Sequence, residues 1–100
     1  MDLGEFLSKV TDFEWDEANV EKNWEKHKVL ASECEQVFFN QPLLVSEDAK
    51  HLKRESRYWL LGKTDAGRKL FVVFTLRGNS IRVVSARDMN RKERAVYETA

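Results

Sequence analysis

Hydrophobic and polar positions alternate most regularly between Arg57 and Arg87, RYWLLGKTDAGRKLFVVFTLRGNSIRVVSAR. Three runs rich in β-branched and aromatic residues are separated by two turn signals, Asp65-Ala66-Gly67 and Gly78-Asn79. This pattern predicts a three-stranded antiparallel meander. Counting outward from the turns sets Arg57 opposite Thr75, and Thr75 opposite Arg82. Side chains alternate across a strand, so these three share one face. Trp59, Val73 and Val84 form the next row on it, and Leu61, Phe71 and Ala86 the row after. The opposite face carries Tyr58, Leu60, Leu70, Val72, Phe74, Leu76, Ile81 and Val83. That face is almost wholly apolar and needs helices over it; a slip of one residue would exchange the two.

Ahead of the meander, Leu3, Phe6, Leu7 and Val10 recur at helical spacing, predicting a short amphipathic helix over residues 1–10. Phe13-Glu14-Trp15-Asp16 alternates like a short strand, and Asp16 is an N-cap for a helix running to about Lys28. Val20, Trp24 and His27 lie along one stripe of that helix. Ser32 and Glu35 have capping-box spacing for a second helix, ending near Phe39 before Asn40-Gln41-Pro42. Leu43 to Glu47 is a strand able to join the sheet, and residues 48–56 are charged without a clear period. Asn90, with Glu93 three residues on, opens a last helix containing Val96 and Tyr97. The expected fold is therefore α+β: an antiparallel sheet, the N-terminal helices on its apolar face, and a C-terminal helix at the end.

Composition bounds this picture. One hundred residues, 42% hydrophobic and 34% charged, make one globular domain. No apolar run is long enough to span a membrane and no signal-peptide pattern opens the chain, so a cytoplasmic protein is expected. The one cysteine, Cys34, excludes an internal disulfide and a cysteine-based zinc cage. The net charge of zero hides a division: residues 1–48 hold 12 acidic and 4 basic residues, residues 49–100 hold 5 acidic and 13 basic. Either the halves pair with each other, or the basic sheet faces an acidic polymer.

No glycine-rich phosphate loop, metal-ligand cluster or nucleophile elbow is present. Two arginines flanking a threonine make a poor core but a suitable seat for phosphate. When an RNA 2′-oxygen attacks the adjacent phosphate, charge grows on the phosphoryl oxygens, and guanidinium groups offer matched bidentate donors. Arg57 and Arg82 are thus expected to hold phosphate and transition state, with Lys26, Arg77 and Arg87 extending the RNA track. For Arg57 and Arg82 the plainer reading is salt bridging to the acidic half. Arg68, Arg91, Lys92 and Arg94 read as solvated surface. His27, ending a helix beside Lys26 and Lys28, is the candidate general acid or base. Its plainer reading is a helix-ending cap, and His51 reads as surface. Trp15, Trp24 and Trp59 have the chemistry to stack bases, although core burial of two of them is the stronger expectation.

Several of these segments, in order, resemble the BrnT toxin family: Phe13-Glu14-Trp15-Asp16, Asn23-Trp24-Glu25-Lys26-His27, Val37-Phe38, Arg57-Tyr58-Trp59-Leu60-Leu61-Gly62, Phe71-Val72-Val73-Phe74-Thr75, Ile81-Arg82-Val83-Val84-Ser85-Ala86-Arg87, then Glu93-Arg94 and Tyr97. The likeness covers about residues 13–98, leaving residues 1–12 as an extension; Ser32-Glu33-Cys34-Glu35 departs from the usual Phe-Glu-Glu-Ala. The resemblance implies a RelE-like fold and the toxin of a type II toxin–antitoxin module, an endoribonuclease that blocks translation. With arginines in place of metal, no cofactor is expected. It also implies a BrnA-like antitoxin with a ribbon-helix-helix DNA-binding domain, a two-to-two complex, and operator DNA reached only through that antitoxin. An acidic amphipathic antitoxin segment would suit the Arg57 face, whose apolar end around Trp59 and Val84 is expected to lie open. The rival reading is a non-catalytic module binding nucleic acid or protein with the same cationic face.

Overall fold

A computed structural model describes residues 12–47 and 57–100. The helix expected over residues 1–10 and the charged stretch with His51 lie outside the described residues. One five-stranded sheet is built from β1 (Asp12–Glu14), β2 (Leu44–Glu47), β3 (Arg57–Lys63), β4 (Lys69–Arg77) and β5 (Ser80–Asp88), in the order β1-β5-β4-β3-β2. All pairings are antiparallel except β1 with β5, so the sheet is mixed at one edge. The helices are α1 (Glu17–His27), α2 (Ala31–Val37) and α3 (Arg91–Glu98). The α+β architecture expected from the sequence is the one observed.

The two turns form where glycine permits a left-handed backbone, at Gly67 (φ 89°) and Gly78 (φ 59°). They fix the register: Arg57 pairs with Thr75 and Thr75 with Arg82, as counted from the sequence. Phe74 pairs with Val83, but Val73 pairs with Ser85, so Val84 is an extra residue in β5. Beyond this bulge the expected faces exchange. Ala86 points into the core, fully buried, and Arg87 takes the place expected of Ala86 beside Phe71. Two side chains of α1 meet the backbone there: Lys22 Nζ donates to the Val84 carbonyl (3.1 Å), and Asn23 Oδ1 accepts from the Ala86 N–H (3.2 Å). A helix thus satisfies backbone groups that β1, pairing only along Ser80 to Arg82, does not reach.

The main core lies between one sheet face and the α1–α2 region. Leu60, Leu70, Val72, Phe74, Ile81, Val83 and Ala86 pack against Val29, Cys34, Val37, Phe38 and Leu43. Each large side chain here contributes about 1.5–3 kcal/mol by leaving water. Cys34 is part of this packing, and burial pushes its thiol up to about 12, so it is a small apolar group at neutral pH. The opposite face is apolar only at one end, where Leu61, Met89 and Tyr97 form a second cluster with Leu44, Trp59 and Phe71. Helix α3 closes this cluster, tied down by Tyr97 Oη donating to the Pro42 carbonyl at 2.7 Å. The apolar end around Trp59 is therefore covered by the chain itself rather than left open.

Helix ends follow local chemistry. Asp16 caps α1, its Oδ1 accepting from the N–H groups of Ala18 (2.8 Å) and Asn19 (3.3 Å). Asn90 and Glu93 form the expected reciprocal box at α3. At α2 only half of a box forms, two residues earlier: Glu33, not Glu35, turns back to accept the Leu30 N–H at 2.9 Å, and Leu30 offers no side-chain acceptor in return. Glu35 instead accepts from Trp15 Nε1 at 2.8 Å, pinning β1's exit to α2. On α1 it is Asn23 that is buried, while Trp24 is 46% exposed under the Lys28 ammonium. None of the three tryptophans is fully buried.

Candidate nucleic-acid interface

The expected row is present. Arg57 on β3, Thr75 on β4 and Arg82 on β5 stand side by side on the face that α1 and α2 do not cover. Adjacent strands are about 4.8 Å apart, so the two arginine Cα atoms are about 10 Å from one another. Both arginines are half-buried. Arg77 follows Thr75 by two residues, placing it on the same face at the exposed hairpin end of β4.

Among the described residues, the carboxylates of Glu14 and Asp16 stand beside Arg82, and neither is among the site residues expected from the sequence. Glu14 is the residue that pairs with Arg82 across the parallel edge, and it is exposed. Asp16 Oδ2 accepts from Arg82 Nη2 at 2.9 Å. The Asn19 and Ala18 N–H groups, and then Arg82, hold the Asp16 carboxyl below the usual carboxylate range. Arg82 therefore does make the salt bridge to the acidic half that was its plainer reading. The same contact fixes its direction. The signal for it is long-range: 66 residues separate the partners, which the parallel β1–β5 pairing and the packing of α1 on β5 bring together.

The other expected residues lie elsewhere. His27 ends α1, a helix of 11 residues and so about 16 Å long, at the opposite end from Asp16. It is half-buried, and its carbonyl accepts from Arg68 Nη2 at 3.0 Å. Lys26 is exposed beside it. Neither is brought to the arginine row. Arg87 lies at the α3 end of the face, its guanidinium 4.3 Å over the Phe71 ring and bidentate to Glu93 at 2.8 and 2.9 Å. Its donors are engaged in holding α3.

Arg68 departs most from its expected role. Rather than solvated surface, it is bidentate to Asp88 (2.7 and 3.1 Å), contacts Glu33 (3.2 Å), and donates to the Lys28 (2.7 Å) and His27 carbonyls. One guanidinium thus closes the C-terminus of α1 and ties it to α2 and β5. The charge division resolves in the same way: Arg68–Glu33 and Arg82–Asp16 cross between the halves, while Lys69–Glu98 and Arg87–Glu93 stay within the second.

A family model described as the ribonuclease toxin BrnT of type II toxin–antitoxin systems matches residues 15–93. Among solved structures, the ribonuclease toxin BrnT of Brucella abortus superposes with a TM-score of 0.62 at 20% sequence identity, covering 82% of this chain and 100% of that one. At that identity the likeness speaks for the fold. No curated protein matches the chain.

Proposed function

This chain belongs to the BrnT family of ribonuclease toxins of type II toxin–antitoxin systems, and we propose that it cleaves RNA without a metal ion and so inhibits translation in the cytoplasm. The observation that carries the proposal is the row of two guanidinium groups either side of Thr75. In the reaction the 2′-oxygen of RNA attacks the neighbouring phosphorus, the bond to the 5′-oxygen breaks, and a 2′,3′-cyclic phosphate forms. Arg57 and Arg82 bind the phosphoryl oxygens as their charge grows, and Asp16 keeps Arg82 aimed. A base takes the 2′-hydroxyl proton and an acid protonates the departing 5′-oxygen. Among the described residues Glu14, next to Arg82 in register and exposed, is a candidate for the base. Arg77 holds the strand next to the row, while Lys26 and His27 contact RNA away from the scissile phosphate.

Membership of a type II family implies a cognate antitoxin. For it we propose a ribbon-helix-helix protein in a two-to-two complex, contacting operator DNA on the pair's behalf. Its acidic segment lies over the arginine row, because α3 already covers the apolar end of this face. Antitoxin binding should then weaken with salt, and the double variant Arg57→Glu, Arg82→Glu should compete poorly for it. Wild-type affinity in that variant would place the inhibitor elsewhere. Incubating partner-free protein with RNA in EDTA tests the activity. Cleavage products are expected; intact but retarded RNA would instead favour a non-catalytic binding module.

A further inference from the structure

Thr75 is 94% out of contact with solvent, being 6% exposed, yet its Oγ1 finds no hydrogen-bond partner among the described residues. A buried hydroxyl without a partner costs stability, and native structures rarely keep one without a use. Its position is the informative part. Thr75 is the middle member of the row, with Arg57 as its register neighbour on one strand and Arg82 on the other. Two cations therefore flank a spare donor. The group that would satisfy all three is a compact anion with several acceptor oxygens, and a phosphate has that form.

We propose that Thr75 is a phosphate ligand: its Oγ1–H donates to a phosphoryl oxygen held between Arg57 and Arg82. This deepens the ribonuclease reading and rests on it for the identity of the phosphate. Because Oγ1 is shielded from water, the oxygen it binds is one that penetrates between the two arginine side chains. The Asp16 carboxylate, which reaches Arg82 from the rim, leaves Oγ1 without a partner. The seat thus favours a phosphate lying over β4 to one resting on Arg82 alone.

Replacing Thr75 with Val keeps the β-branched shape and removes the hydroxyl, while Thr75→Ser keeps the hydroxyl. Two readouts are needed: the rise in melting temperature caused by inorganic phosphate, and the rate of RNA cleavage. Without ligand, Thr75→Val is expected to melt at or above the wild-type temperature, since it loses an unsatisfied group. It should show a smaller shift with phosphate and cleave about tenfold to a hundredfold more slowly, as expected for a lost hydrogen bond to a charged group. Thr75→Ser should stay near wild type in both. Wild-type phosphate response and cleavage in Thr75→Val would overturn the assignment, and so would loss of folding, which would show the hydroxyl to be satisfied in the unliganded protein. A Thr75-dependent phosphate shift without cleavage by wild type would uphold the seat and refute the ribonuclease reading. Cleavage by wild type and Thr75→Val alike would do the reverse.

Discussion

Arg82 reaches Asp16 across 66 residues of sequence, at 2.9 Å, and the carboxylate it finds is already fixed by the first turn of α1. One oxygen of Asp16 caps the helix and the other aims the guanidinium. The direction of Arg82 is thus set by a helix end rather than by the strand that carries it.

From that constraint the first expectation follows. Arg82→Lys and Arg57→Lys should each fold normally and cleave RNA about 10²–10³-fold more slowly, because lysine keeps the charge and loses the planar fork. Circular dichroism and a cleavage assay are sufficient. Unchanged rates in both variants would take the row out of the mechanism.

The second separates two candidates for proton transfer. Glu14→Gln should lower kcat by about 10²–10⁴-fold with folding intact. His27→Gln should change it only a few-fold, since His27 stands a helix-length from the row. The opposite pattern would mean that RNA spans both ends of α1 and reacts at the far one.

The third concerns Arg68, which joins the end of α1 to Glu33 and Asp88. Arg68→Ala should cost roughly 2–3 kcal/mol, from several charge-assisted bonds lost at a half-buried site, lowering the melting temperature by roughly 10–20 °C. Cleavage below that temperature should survive. Loss of activity in a still-folded variant would assign Arg68 a place on the RNA track.

The fourth is the response to acid. Arg68 holds Asp88 below the usual carboxylate range, Arg87 does so for Glu93, Lys69 for Glu98, and the Asn19 and Ala18 N–H groups for Asp16. A carboxyl lowered in the folded state binds fewer protons there than when unfolded. Its contribution is therefore present above the ordinary carboxylate pKa of about 4 and is lost as pH falls through the lower folded value. Melting temperature should hold between pH 7 and 5 and drop between pH 4 and 2. A flat profile to pH 2 would show that these pairs contribute nothing to folding.

How far the sequence carries this picture depends on the range of the signals. The meander and the Arg57–Thr75–Arg82 row are legible because two glycine turns set the count locally. The bulge is not, since Val83-Val84-Ser85 contains no glycine or proline and the groups that accommodate it, Lys22 and Asn23, are some 60 residues away. Trp24 illustrates a different limit. Helical spacing identifies a stripe, but a buried Asn23 that serves strand backbone outranks the larger apolar neighbour for the inward position. Arg68 reads as surface because it is a charged residue directly after a turn, and only the fold brings two helix carbonyls to it.

The extra residue at Val84 also sets where this chain tolerates a change in length. Between the partners of Phe74 and Val73, β5 spends two steps where β4 spends one. That surplus is slack: deleting Val84 would leave Ala86 facing inward and Arg87 outward, at the cost of the Lys22 contact. The same deletion from β4, which has no spare step, would turn over every side chain beyond it, bringing the arginine row and the core into conflict. Length variation in this sheet is therefore expected to collect at one point on β5, and strand β4, which carries Thr75, should be the part of the chain that resists it.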